Sequence, residues 1–164
     1  MVMPFAVMGA HVSAVPNHQV GRVTPLTTRG HVAMMGQFGY ELDLSVLTDE
    51  ELRIVSEQIR LYKEIGAVVH RGDLYRLRSP FEGRNTAWEY VAEDGKSVVL
   101  MYCVVRARAQ TGLSCVRLQG LDPSAWYRDR MTGKRYGGDY LMQVGLYVDD
   151  DCDCKSFVMI LDRE

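Results

Sequence analysis

Between Met8 and Leu44 the stretch MGAHVSAVPNHQVGRVTPLTTRGHVAMMGQFGYELDL crowds His11, Ser13, His18, Arg22, Arg29, His31, Glu41 and Asp43 into one short span. Two chemistries are open to such a set. His11 and Ser13 with a carboxylate from Glu41 or Asp43 could form a nucleophile and its base, but the span offers no G-x-S-x-G elbow to present the serine. Glu41 and Asp43 could instead act as paired carboxylates. On a strand, residues two apart share a face at roughly 7 Å, and neighbours on one strand cannot flank a scissile bond from opposite sides. The residues read more simply as the wall of a pocket, or as polar groups held by hydrogen bonds.

The elements that must position them follow an α/β order. Phe5 to Val12 is an apolar run that reads as a strand, and Ser13 to Thr27, punctuated by Pro16, Asn17, Gly21 and Pro25, is a long loop of the kind that carries function or covers something. Thr28 to Gln37 reads as a short helix that starts on a cap-forming threonine, and Phe38 to Leu44 as a second strand carrying both Glu41 and Asp43. A stronger helix is predicted over Thr48 to Ile65. Thr48 with Glu51 makes a capping box, Leu47 and Leu52 a hydrophobic staple, and Leu52, Val55, Ile59, Tyr62 and Ile65 a buried stripe ended by Gly66. The stripe is a core feature and contains no cofactor box.

After His70 the pattern changes to short extended runs between turn residues, which predicts an all-β domain and a boundary near Gly66 to Gly72, with residues 1–68 and 69–164 as the two domains. Strands are expected at Leu74 to Leu77, Trp88 to Ala92, Ser97 to Ala107, Cys115 to Leu118, Ala125 to Asp129, Leu146 to Val148 and Phe157 to Leu161. Asp94-Gly95 predicts a type I′ hairpin, in which both central residues take positive φ. Asp122-Pro123, Thr132-Gly133 and Gly137-Gly138 supply turns, and the last of these lacks the strand-to-helix setting of a phosphate loop. Two half-apolar sheets would bury one face each as a sandwich. Trp88, Trp126, Tyr127, Tyr136, Tyr140 and Tyr147 are read first as core, with a sugar-stacking platform as the alternative.

A formal charge of −2 and a pI near 6.1 give no electrostatic reason to expect nucleic acid or an anionic membrane as partner. Met1 to Gly9 lacks a basic flank and a clear cleavage pattern, so it makes a poor signal peptide. No apolar run approaches the roughly 20 residues that span a bilayer. Cys103 and Cys115 lie in apolar runs and read as small hydrophobes. Cys152 and Cys154, in DDDCDC, lack both the spacing and a histidine for zinc and read as part of an acidic turn. A reducing, cytoplasmic setting is expected, with no metal and no cofactor.

MGAHVSAVPNHQVGRVTPLTTRG, FGYELDL, DLYRLRSPFEG and TAWEYV together resemble the C-terminal part of an α-galactosidase of glycoside hydrolase family 36, from Pro4 to the SFVMILDR ending. The resemblance implies the last two βα units of a (β/α)8 barrel followed by an antiparallel β-sandwich. Ala6 to Ser13 would be the seventh barrel strand, Phe38 to Asp43 the eighth and Thr48 to Ile65 the last barrel helix. It also implies a retaining hydrolase acting on terminal α-linked galactose, in a homo-oligomeric parent. The two catalytic aspartates of the family sit in motifs that precede MGAHVS and are absent here, so this chain alone is expected to be inactive. His11, Ser13, His18, Glu41 and Asp43 are left as candidates for the pocket rim, because loops and strand ends at that side of a barrel face the active site. A stand-alone carbohydrate-binding or structural β-sandwich module is the competing reading.

Overall fold

Strand β1 (Gly9–Ser13), helix α1 (Leu26–Ala33) and strand β2 (Gln37–Glu41) open the computed structural model, which describes residues 7–109, 112 and 114–164. The two strands pair in parallel, with His11 opposite Gly39 and Ser13 opposite Glu41. A parallel return needs a crossover, and α1 provides it. Side chains alternate across the pair: Ala10, Val12, Phe38 and Tyr40 turn to the helices and join Leu26, Ala33 and Val55 in an apolar cluster, which leaves His11, Ser13 and Glu41 on the opposite face.

Helix α2 (Asp49–Arg71) completes this unit, which ends at His70. Its capping box is formed: Glu51 Oε2 accepts the Thr48 amide at 2.9 Å, and the Thr48 hydroxyl accepts the Glu51 amide at 3.3 Å. Gly66 does not end the helix. A glycine inside a helix costs about 0.5–1 kcal/mol relative to alanine, less than the gain from burying Val69 on the turn that follows. The buried positions are Val55, Gln58, Ile65 and Val69, while Leu52 and Ile59, expected in the stripe, remain 38% and 39% exposed. Leu47 packs on the apolar cluster, but Leu52 is not buried as a staple partner.

Three further boundaries in the first unit differ from expectation. Of the strand predicted over Phe5 to Val12, Phe5 and Ala6 lie outside the described residues and β1 begins at Gly9. Helix α1 starts at Leu26 behind Pro25, whose fixed φ suits the first turn and whose carbonyl accepts the Arg29 amide at 3.0 Å, while Thr28 is buried inside the helix. Strand β2 stops at Glu41. Asp43 caps a 3₁₀ turn over Leu44–Val46, so Glu41 and Asp43 are not neighbours on one strand.

The second unit, Arg71–Glu164, is mostly antiparallel. Strands β3 (Asp73–Arg78), β4 (Asn85–Val91), β5 (Ser97–Val104), β7 (Trp126–Asp129), β8 (Arg135–Gly137) and β10 (Ser156–Arg163) form a six-stranded sheet in the order β3-β4-β5-β10-β7-β8. β6 (Ser114–Val116) and β9 (Leu146–Val148) form a two-stranded ribbon. Leu100, Tyr102 and Leu161 from the sheet pack with Val116, Leu118, Leu146 and Val148 in the core, so the two layers are unequal rather than matched. β5 is apolar almost throughout and buried along its length from Val98, as befits a strand covered on both sides. A polar chain ties the layers at one end. Arg78 donates to Asn85 Oδ1 at 2.8 Å and to Ser114 Oγ at 2.9 Å, and Asn85 donates to Asp150 Oδ2 at 2.7 Å. Asp150 also accepts the Tyr102 hydroxyl.

Two turn readings change. The hairpin between β4 and β5 has positive φ at Gly95 alone, with Gly95 N–H donating to Ala92 O at 2.7 Å. That is a type I turn followed by a left-handed glycine, not type I′. Gly137-Gly138 is no free turn; it joins β8 to the short helix α3 (Gly138–Gln143), so the strand-to-helix setting denied to it is present. No helix among the described residues is long and apolar enough to cross a membrane.

Candidate functional site

The register of β1 and β2 brings His11 and Glu41 together. His11 Nε2 lies 2.7 Å from Glu41 Oε2, with the side chains 52% and 74% exposed. Ser13, directly opposite Glu41 in the ladder, shares their face. The face thus offers an imidazole, a carboxylate and a hydroxyl within one pair of strands, an arrangement that can hydrogen-bond vicinal hydroxyls. It holds one carboxylate, where attack and protonation across a bond need two.

The remaining candidates are separate from that pair. Asp43 is engaged by Ser45, whose amide and hydroxyl donate to Oδ1 at 2.8 and 2.7 Å, and these two bonds hold its carboxyl below the usual range. His18 is exposed in the loop after β1. The loop is organised by its neighbour instead: Asn17 Oδ1 accepts the amides of Gln19 and Val20, both at 3.1 Å, and the Asn17 amide donates to Arg22 O at 2.9 Å.

Two residues that support the face carry no sequence motif of their own. Arg29 of α1 donates through Nε to Thr24 O at 2.9 Å and through a second guanidinium nitrogen to Ser13 O. It clamps the start of the long loop to its end. Burial is the main influence on this guanidinium and lowers its pKa. Gln58 is buried on α2, where it donates to Leu26 O at 3.1 Å and accepts the Tyr40 hydroxyl at 2.6 Å. Burial pushes the Tyr40 phenol up to about 12, so it stays a donor. A glutamine three residues after Val55, at a core position of the helix, was the signal available in the sequence for this tie.

In the second unit Tyr127 is core and Tyr136 half-buried, while Trp126, Tyr140 and Tyr147 stand exposed. All four cysteines are free; Cys103 is buried, but Cys115 is exposed rather than packed as a small hydrophobe. The Asp149–Lys155 stretch is a surface turn in which Lys155 bonds Asp149 at 3.0 Å and Asp151 at 2.7 Å. No group of three metal-ligating side chains converges among the described residues.

Comparison with known proteins matches residues 1–72 to the Melibiase family and residues 85–161 to the glycosyl hydrolase family 36 C-terminal domain. The chain is 50% identical over 146 residues to alpha-galactosidase AgaA of Geobacillus stearothermophilus, covering 89% of this chain and 20% of that protein. It is 43% identical over 143 residues to the bifunctional alpha-galactosidase/sucrose kinase AgaSK of Mediterraneibacter gnavus, covering 87% of this chain and 15% of that protein. Among solved structures, the family 36 alpha-galactosidase AgaB of Geobacillus stearothermophilus superposes with a TM-score of 0.94 at 46% identity, over 98% of this chain and 22% of that one. The chain therefore spans about a fifth of the length of such relatives. On both family matches and on these identities, the chain belongs to glycoside hydrolase family 36 and corresponds to the C-terminal part of its α-galactosidases.

Proposed function

We propose that these residues form the C-terminal part of a retaining hydrolase that releases terminal α-linked galactose from galacto-oligosaccharides, with both catalytic aspartates outside the 164 residues. In this reading β1 and β2 are the last two strands of a (β/α)8 barrel. The carrying observation is the polarity of the β1–β2 pair. Its apolar face meets the helices, and its other face holds His11, Ser13 and Glu41. In a barrel the helices lie outside and the opposite strand face turns inward, with strand C-terminal ends at the active site. Ser13 and Glu41 are the last residues of their strands, which supports a place on the pocket rim, with Asp43 and the His18 loop following. The related proteins are named as α-galactosidases, and one solved relative is a complex with raffinose. Four free cysteines support work in a reducing compartment.

The test uses a chimera. The 164-residue chain alone should show no turnover of an aryl α-galactoside, whereas the same residues exchanged for their counterpart in AgaA should give an active enzyme. In that chimera His11→Ala or Glu41→Gln should lower kcat/KM by about ten- to a hundredfold through misplacement of substrate, far less than loss of a catalytic carboxylate. Turnover by the chain alone, lost in Glu41→Gln, would return the chemistry to these strands and end the proposal.

A further inference from the structure

In the second unit a cleft of about 600 Å³ opens between the β7–β8 hairpin and α3, lined among others by Ser124, Trp126, Arg135, Asp139 and Tyr140. We propose that this cleft is an accessory binding site for a neutral hexopyranose ring, stacked on Trp126. Strand β7 alternates outward and inward, so Tyr127 is in the core while Trp126 remains 52% exposed; Tyr140 at the start of α3 is 45% exposed. Trp126 and Tyr140 thus leave about half of two large aromatic side chains open to water beside one concavity.

The platform is rigid before anything binds. The Arg135 guanidinium sits 5.1 Å from the centre of the Trp126 ring, and Arg135 Nε pairs with Glu164 Oε2. The Glu164 amide donates to Trp126 O at 2.9 Å, closing the loop of contacts. Gly138 holds the start of α3 against the turn before β7 at a distance no side chain would allow: a Cβ there would lie 2.0 Å from Asp122 O. Rings fixed in this way lose little freedom when a ligand arrives.

The polar edge selects the ligand. Asp139 gives one carboxylate oxygen to the Tyr140 amide at 2.7 Å and keeps the other as an acceptor. Ser124 donates its hydroxyl to Asp122 Oδ1 at 2.7 Å and retains its lone pairs. Arg128 and Arg135 share the Glu164 carboxylate, and Asp139 balances the second guanidinium, so an anionic ligand would gain no net attraction at this edge. A wholly apolar ligand would strip water from Asp139 without replacing its hydrogen bonds. A ring with one C–H face and hydroxyls around its rim satisfies both demands. The choice of galacto-oligosaccharides among such ligands rests on the function proposed above.

The experiment follows the indole N–H signals of the two tryptophans in the isotopically labelled 164-residue chain as raffinose is added to about 50 mM, with glycerol as control. Trp126 should shift saturably with a Kd on the order of millimolar, and Trp88 should not. Trp126→Ala and Tyr140→Ala should each weaken binding by about tenfold, with Trp126→Phe recovering part of it. Both side chains are exposed, and unchanged melting temperatures confirm the variants are folded. No saturable shift of Trp126, or raffinose binding that survives Trp126→Ala, overturns the site; a response to maltotriose without one to raffinose overturns the galactoside assignment. Because the readout is binding, an inactive chimera leaves it untouched.

Discussion

Glu89 sits in the middle of β4 with no exposed surface, facing Leu100 across the ladder. Oε1 accepts the Gln119 amide at 2.6 Å; Oε2 is buried with no hydrogen-bond partner. Desolvation pushes its pKa up to about 8, against a backbone hydrogen bond that lowers it. An unfolded glutamate titrates near 4.3, so between about 4 and 8 the folded protein holds a proton that the unfolded chain has lost. The stability associated with the neutral acid is complete below the lower value and is lost as pH rises through the upper one, by roughly 5 kcal/mol once both states are ionised. The wild type should thus show a lower urea midpoint at pH 8.5 than at pH 5, and Glu89→Gln should flatten that difference. Parallel profiles for the two proteins would show that Glu89 does not govern it. Nothing in the sequence around TAWEYV announces a buried acid, because an alternating strand can place a glutamate on either face, and only the register decides.

At the level of helices, two glycines of the first unit test opposite expectations. A Cβ on Gly30 would lie 2.2 Å from the Gln58 amide group, which is buried and bonded on both sides. A Cβ on Gly66 would meet nothing nearer than His70 at 4.0 Å. Gly66→Ala should therefore stabilise by about 0.5–1 kcal/mol, and Gly30→Ala should destabilise by about 1–3 kcal/mol through displacement of Gln58. Urea midpoints with equal shifts of one sign would contradict the packing. The same helices show what was legible. Thr48 and Glu51 announce the start of α2 because a capping box is a local device, written in four residues. The end of α2 was not legible, since Gly66 is a stop signal only when nothing beyond it is worth burying, and Val69 is. Pro25 opened α1 earlier than Thr28 suggested, for a cap chosen by the loop's path outweighs a better capping side chain. The candidate face was partly legible. Strand alternation puts His11 and Ser13 on one side, but Asp43 left the strand because Ser45 offered its carboxylate a closer partner.

Over the whole chain the two units differ in what secures their sheets. β1 and β2 form a two-stranded parallel sheet, a pairing rarely stable without further strands, whereas β5 is flanked by β4 and β10 in a six-stranded one. Amide exchange should be faster at Phe38 to Tyr40 than at Val98 to Val104, and limited proteolysis should open the first unit before the second. Equal protection would mean that the first unit needs no additional strands, which would count against the barrel reading.

Strand β10, the last in sequence order among the described residues, is not at the rim of its sheet. It lies between β5 and β7 and pairs with both, so while Ser156–Arg163 is still inside the ribosome the sheet exists as two pieces with open edges. Folding of this unit cannot proceed strand by strand with translation; it waits for Ser156–Arg163, since its central pairings span most of the unit in sequence. Deleting Ser156–Arg163 would remove not a frayed edge but the strand that joins the halves, and would leave two exposed edges ready to pair with other chains.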